Sequence, residues 1–279
     1  MATIFDCSDD ASLLTGMRLA RAAIGRGELV VIPTDTVYGL AANAFDPAAV
    51  QKLLDAKGRS RQAPPPVLIP GIPTLDALTE EVPPEVRTLV AKFWPGGLTV
   101  ILPARSSLRW DLGETGGTVA LRMPSDRIAL ELLSETGPLA VSSANLSGET
   151  AANTAVEAER MLGDSVAVYL DGGTTGDTSA DGPPVGTGST IVDATGLLTD
   201  GGMLRIVREG VISASEIFAV LADGHPENFN LFGQIAPTAT VTAVEAIPAA
   251  EPGRRGEPVA RTESTDSAPE SPPAESAAQ

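Results

Sequence analysis

Short apolar runs alternate with stretches of helical periodicity from the N-terminus to about residue 220. The runs at 29–32, 67–69, 98–102, 118–122, 139–142, 166–170, 189–193 and 203–208 are bounded by Gly, Pro, Asp or Ser and read as strands. Leu13, Leu14, Met17, Leu19, Ala20 and Ala23 recur at helical spacing and predict a helix over 11–24, capped by Asp9 or Asp10 and stopped by Gly25 and Gly27. Asp46-Pro47 opens a second helix that turns Val50, Leu53 and Leu54 inward and ends at Lys57. Further helices are expected at 73–81, 84–93, 125–135 and 154–162, and Pro64-Pro65-Pro66 forces an extended path into the run at 67–69. Strands alternating with helices predict an α/β domain, a twisted mixed sheet flanked by helices.

Composition divides the chain. A 43% hydrophobic share supplies a sizeable core. From Pro226 onward, however, the chain is Ala, Pro, Glu, Ser and Thr with almost no periodic apolar face. Such a segment cannot bury enough apolar surface to offset its ordering entropy. The expected organisation is a folded domain over 1–224 and a disordered acidic tail over 225–279. The tail holds 8 acids and 3 arginines, −5 of the total −17, which leaves −12 on the body. A body this acidic is no general nucleic-acid binder, because such binding neutralises phosphates with Lys and Arg. Any phosphate site must be local.

One cysteine, Cys7, excludes an internal disulfide or a thiolate metal cage, as in a reducing compartment. One histidine, His225, sits at the tail junction and leaves no basis for a Ser-His-Asp triad or a His-bound zinc. No apolar stretch reaches the roughly 18 residues of a membrane span, and no secretory start is seen, so a soluble cytoplasmic protein without membrane contact is expected.

Candidate chemistry gathers where strands end. Pro33-Thr34-Asp35-Thr36-Val37-Tyr38-Gly39-Leu40 leaves the run at 29–32, and Lys57-Gly58-Arg59 arrives after the following helix, the usual way an open α/β sheet assembles a site. Lys57 and Arg59 flank a residue without a side chain and should face one ligand, Arg59 offering a planar fork for phosphate and Lys57 a compact charge. They equally suit a helix C-terminus, where cations complement the dipole. Ser142, Ser143, Asn145 and Ser147 follow an apolar strand and can hold a phosphate or carboxylate, or simply form a turn. Arg122 ends a strand as a ligand-pairing cation or an edge charge. Gly182–Gly188 lacks the Lys-Ser/Thr of a P-loop and reads as a crossing loop within 171–188.

Taken in order, the block at 33–40, Lys57-Gly58-Arg59, Thr118-Val119-Ala120-Leu121-Arg122-Met123-Pro124, Ser143-Ala144-Asn145-Leu146-Ser147-Gly148, Gly188-Ser189-Thr190-Ile191-Val192-Asp193 and Arg208-Glu209-Gly210 resemble the YrdC-like family, the L-threonylcarbamoyladenylate synthases. The resemblance implies a twisted, mostly parallel sheet with a concave face for ATP and L-threonine. It implies ATP-dependent conversion of L-threonine and bicarbonate to threonylcarbamoyl-adenylate with release of pyrophosphate, Mg²⁺ accompanying ATP. The product then passes to a separate tRNA threonylcarbamoyl-transferase complex, with double-stranded RNA binding and a weak tRNA contact as further expectations. Carried over by position, Lys57, Arg59, Ser143 and Asn145 are the catalytic set. Thr34, Thr36, Tyr38, Arg122 and Ser189 line the threonine side, and Thr118 and Arg208 join the catalytic set around ATP. No metal ligand is implied.

The chain departs from the family pattern at 60–69, Ser60-Arg61-Gln62-Ala63-Pro64-Pro65-Pro66-Val67-Leu68-Ile69, where an Asn-Pro-Leu-x-x-His run is common, so the family's histidine contact is missing. Longer relatives carry a folded second domain, and the tail after 224 is too polar to supply one. Two rival readings remain: a non-enzymatic RNA-binding or ribosome-assembly module on the same fold, and a carbamoyl enzyme of the hydrogenase-maturation type. The second lacks here the acylphosphatase-like and zinc-finger segments that would accompany it.

Overall fold

The structure, a computed structural model, describes residues 3–176, 183–199 and 202–222. The expected tail at 225–279 and the centre of the loop at 171–188 lie outside the described residues. Among those described, ten strands form one sheet: β1 (Thr3–Asp6), β2 (Val30–Ile32), β3 (Gly39–Asn43), β4 (Val67–Leu68), β5 (Leu98–Pro103), β6 (Thr118–Arg122), β7 (Leu139–Ser143), β8 (Val168–Asp171), β9 (Thr190–Asp193) and β10 (Arg205–Arg208). Their order is β1-β8-β2-β3-β7-β4-β6-β5-β9-β10. Helices α1 (Asp10–Gly25), α2 (Pro47–Lys57), α3 (Ile72–Leu78), α4 (Pro84–Phe93), α5 (Arg127–Thr136), α6 (Ala155–Leu162) and α7 (Ala214–Ala222) flank it.

The mixed sheet is as expected, but it is not mostly parallel. Four neighbouring pairs run parallel (β1/β8, β8/β2, β4/β6, β5/β9) and five run antiparallel. The difference comes largely from β3, which periodicity alone did not reveal. Its sequence Gly-Leu-Ala-Ala-Asn has weak strand propensity, yet it lies hydrogen-bonded between β2 and β7 with Gly39 opposite both Ile32 and Ser143. A Cβ on Gly39 would come within 2.6 Å of the Val141 side chain, so the small residues are a packing requirement. The short strand β1 and helix α7 are also additions to the sequence reading.

Alternation along the strands sorts the core. Val30 and Ile32 of β2 pack with Met17, Ala20 and Ala23 of α1 and with Ile128 and Leu132 of α5. Val31, between them, faces Leu53 of α2 and Ala155 and Ala158 of α6. A third cluster joins Val86, Leu89 and Val90 of α4 and Ile217 and Leu221 of α7 to Val100, Leu102, Val119 and Val192. Truncating a fully buried leucine such as Leu53 would cost about 2–5 kcal/mol. The caps follow the sequence signals: Asp9 accepts from Ser12 N at 2.8 Å, Asp46 caps α2 ahead of Pro47, and Thr154 and Glu157 form a reciprocal capping box on α6. Among the described residues no helix is long and apolar enough to cross a membrane.

Candidate active site

Helix α2 carries its last residue, Lys57, beneath the turn that leaves β7. Lys57 is 1% exposed, and its ammonium donates to the Ser143 carbonyl, to the Asn145 carbonyl at 2.6 Å and to Asn145 Oδ1 at 3.2 Å. Three N–H donors meet three oxygens, so this cation is fully used within the protein. Asn145 returns the constraint, donating through Nδ2 to the carbonyls of Leu146 at 2.9 Å and Glu149 at 2.7 Å. Burial, reinforced by Arg59 nearby, pushes Lys57 down to about 7, while the three oxygens favour its charged form.

Gly58 ends α2 in the left-handed region at φ 63°, with nothing within 4 Å of a Cβ placed there. The glycine serves the helix cap, and the space beside it is open. Beyond it, Arg59 turns to the same β7 exit from another side, with Nη1 3.1 Å from Ser142 Oγ and Nε 3.3 Å from Ser147 Oγ.

The loop after β2 folds on itself. Thr34 Oγ1 donates to the Val37 carbonyl at 2.6 Å and accepts from the backbone N–H of Thr36 and Val37. That fixes Thr36, whose hydroxyl lies 3.1 Å from Thr34 Oγ1 and accepts from Arg122 Nη1 at 3.0 Å. Arg122, the last residue of β6, donates through Nε to the Gly96 carbonyl at 3.0 Å. Its Nη2 forms an ion pair with Asp35 Oδ1 at 2.8 Å, a contact short of ideal hydrogen-bond direction. Asp35 also accepts from Ser125 N at 2.9 Å. Of its five N–H groups Arg122 thus commits three, to Gly96, Thr36 and Asp35, and further donors of a buried guanidinium are costly to leave unused.

Arg208, at the end of β10, crosses to the start of β9. It donates to the Ser189 carbonyl from Nε at 3.2 Å and Nη2 at 2.7 Å, and to Ser189 Oγ at 3.3 Å. Its pKa is lowered by burial first and then by Arg122 and Arg59, so the three guanidiniums share one electrostatic neighbourhood. Burial likewise lowers Arg59, and it lowers Arg122 against the opposing pull of Asp35. In a chain of net charge −17 this is a local concentration of positive charge.

Two expected residues stand apart. Tyr38 is buried, and its hydroxyl donates to the Gly173 carbonyl at 2.6 Å and accepts from Gly172 N at 3.1 Å, with Asp171 Oδ1 also at 3.1 Å. It anchors the turn after β8, and burial pushes its pKa upward. Thr118 opens β6, four residues or about 13 Å from Arg122 along the strand, and donates to the Thr115 carbonyl at 2.8 Å. The reading of single residues missed Asp35 as a partner of Arg122, Ser142 as a partner of Arg59, and the Gly96 carbonyl. Asp35 had a local signal, an acid between two hydroxyls at a strand exit. The pairing of Arg59 with Ser142, across 83 residues, had none.

Among the described residues no group of three or more His, Cys, Asp or Glu side chains could hold a metal ion. The donor set is cationic and would repel a free cation, so the residues present do not fit a protein-held Mg²⁺.

The Sua5/YciO/YrdC family model, described as "Telomere recombination", matches residues 22–210. The chain belongs to this family. It is 46% identical over 221 residues to a Mycobacterium tuberculosis protein named "Putative threonylcarbamoyl-AMP synthase", covering 79% of this chain and 96% of that one. It is 37% identical over 238 residues to the threonylcarbamoyl-AMP synthase of Bacillus subtilis, covering 82% of this chain and 66% of the relative. The crystal structure of Pyrococcus abyssi Sua5 complexed with L-threonine superposes with a TM-score of 0.67 at 33% identity, over 78% of this chain and 61% of the archaeal one. The chain thus spans about three fifths of the archaeal protein and nearly all of the mycobacterial one.

Proposed function

We propose that this Sua5/YciO/YrdC chain is a threonylcarbamoyl-AMP synthase that uses L-threonine, bicarbonate and ATP. The observation that carries the reading is the buried guanidinium of Arg122, braced by Gly96, Thr36 and Asp35 with N–H groups to spare, in a family whose Pyrococcus abyssi member is known complexed with L-threonine. Arg122 and Thr36 receive the substrate carboxylate, and Ser189 closes the amino-acid side. The neutral amine adds to bicarbonate, giving the carbamate and water. A carbamate oxygen then attacks the α-phosphorus, forming the new P–O bond as the bond to pyrophosphate breaks. Arg59 and Arg208 oppose the charge that develops on the departing phosphates. Holding three reactants in line supplies much of the acceleration, so no histidine base is needed. Mg²⁺ belongs to the substrate, bound to the ATP phosphates.

Lys57, Ser143 and Asn145 act together by shaping the β7 exit against which the phosphates lie. Thr34 shapes the Thr36 loop, Tyr38 holds the turn after β8, and Thr118 belongs to the nucleotide side. The product is a mixed anhydride and passes in the cytoplasm to the tRNA threonylcarbamoyl-transferase complex, with at most a weak tRNA contact. Residues 1–224 carry the activity and the tail is dispensable for it. The RNA-binding alternative is disfavoured, since an RNA module needs a basic footprint and this body carries −12 outside the tail.

The test is pyrophosphate release by the full chain with ATP, Mg²⁺, bicarbonate and each amino acid in turn. Release that needs both threonine and bicarbonate is expected. ATP turnover indifferent to either would overturn the reading.

A further inference from the structure

Thr99 lies inside β5, between Leu98 and Val100, whose side chains belong to the third core cluster. Alternation turns Thr99 to the other face, toward β9, and it is 0% exposed. Valine has the same shape and suits a buried strand, so a threonine here brings a hydroxyl that must be paired. A buried polar group left unsatisfied costs about 1–3 kcal/mol. Thr99 Oγ1 lies 2.8 Å from Ser189 Oγ, its one recorded side-chain hydrogen bond among the described residues. Pairing of β5 with β9, Leu98 to Thr190 and Thr99 to Ile191, together with Thr190 N donating to the Gly97 carbonyl at 2.9 Å, holds the two hydroxyls in place.

Either hydroxyl can donate across this contact; with Thr99 as the donor, its buried proton is paired within the protein. Arg208 Nη2 also donates to Ser189 Oγ, at 3.3 Å. With both lone pairs engaged, the proton of Ser189 must point away from both partners. We propose that Thr99 is a positioning residue for this reaction: its buried hydroxyl, with Arg208, turns Ser189 into a fixed donor toward an oxygen of the amino-acid substrate. This rests on the synthase reading of the site. It also makes Ser189 the joint between the two substrate sides, since the same Arg208 guanidinium braces its carbonyl at 2.7 Å and faces the nucleotide.

The experiment compares Thr99→Val, Thr99→Ser, Ser189→Ala and the Thr99→Val/Ser189→Ala double variant in the full chain, by steady-state kinetics, ATP binding without threonine, thermal melting and a crystal structure of Thr99→Val. Loss of one neutral hydrogen bond predicts a KM for threonine raised about 3- to 10-fold in Thr99→Val. The expected pattern also has ATP affinity within about twofold, melting unchanged, recovery in Thr99→Ser, and no further loss when Thr99→Val is added to Ser189→Ala. Unchanged KM for threonine, equal impairment of Thr99→Ser, or additive single effects would overturn the proposal. The crystal structure is independent of turnover. A rotated Ser189 hydroxyl supports the positioning role even if threonine proves not to be the substrate, and an unmoved one overturns it.

Discussion

Two cationic regions of the molecule differ in what their donors do. Lys57 is surrounded: three N–H bonds meet three oxygens of the β7 exit. Arg122 is also buried, but among the described residues its five N–H groups meet three partners, the Gly96 carbonyl, the Thr36 hydroxyl and the Asp35 carboxylate. Arg122 and Arg208 hold their neighbours with part of the guanidinium, which fits the ligand-binding role proposed for them. Burial of a cation is therefore not a sign of contact with substrate; the balance of its donors is. A saturated cation shapes a site and an unsaturated one binds in it.

The sharpest attempt to break that contrast is Arg122→Lys. It keeps a charge near Asp35 but loses the fork, so threonine-dependent pyrophosphate release should fall about 100-fold or more with folding retained, as checked by kinetics and circular dichroism. Near-normal activity would remove Arg122 from the substrate. Lys57→Met comes next. It leaves the carbonyls of Ser143 and Asn145 without their donor, at a cost of about 1–3 kcal/mol for each unsatisfied group, so the midpoint of urea unfolding should drop clearly. Its activity loss should raise the KM values of ATP and threonine together, because the damage is to shape. A loss confined to ATP with unchanged stability would mean that Lys57 touches phosphate directly.

A pH series sharpens the same point. The native state releases the Lys57 proton at about 7 and the unfolded chain near the ordinary lysine value of 10.5. Between these values the unfolded state binds the extra proton, so stability should climb with pH, by about 2 kcal/mol from pH 7 to about 8.5. That window lies below the range in which Cys7, pushed up by burial to about 11, begins to act in the opposite sense. Lys57→Met should lack the climb. A flat wild-type profile would show that the three oxygens hold the ammonium charged throughout. The smallest effect is expected for Tyr38→Phe. Loss of the bonds to Gly172 and Gly173 should lower stability by about 1 kcal/mol in thermal melting and change KM for threonine little.

Much of the fold was legible along the chain. The helix at 47–57 and the strand at 118–122 fall where periodicity and caps placed them, because the signals are local: Asp46-Pro47 at one end and Gly58 at the other. β3 was not legible, because Gly-Leu-Ala-Ala becomes a strand only when β2 and β7 bond to both its edges. The candidate site was half legible. The polar runs at 33–38 and 142–147 and the cations at 57 and 59 stood out, and their order carried the family resemblance. What each would touch did not stand out. Lys57 and Arg59 are two residues apart, yet one saturates a carbonyl cage and the other reaches two serine hydroxyls.

By itself, the sequence determined that this is an α/β chain, where most elements start and stop, that one cysteine allows no internal disulfide and that residues 1–224 hold no histidine, and which blocks carry the clustered cations. Tertiary structure alone decided how many donors each cation spends within the protein, that Asp35 and Gly96 brace Arg122, and that Thr99 reaches Ser189. The reason is physical. Helix periods, caps and turns are set by neighbours a few residues apart, whereas the satisfaction of a buried donor depends on oxygens brought from 80 or more residues away by the pairing of strands.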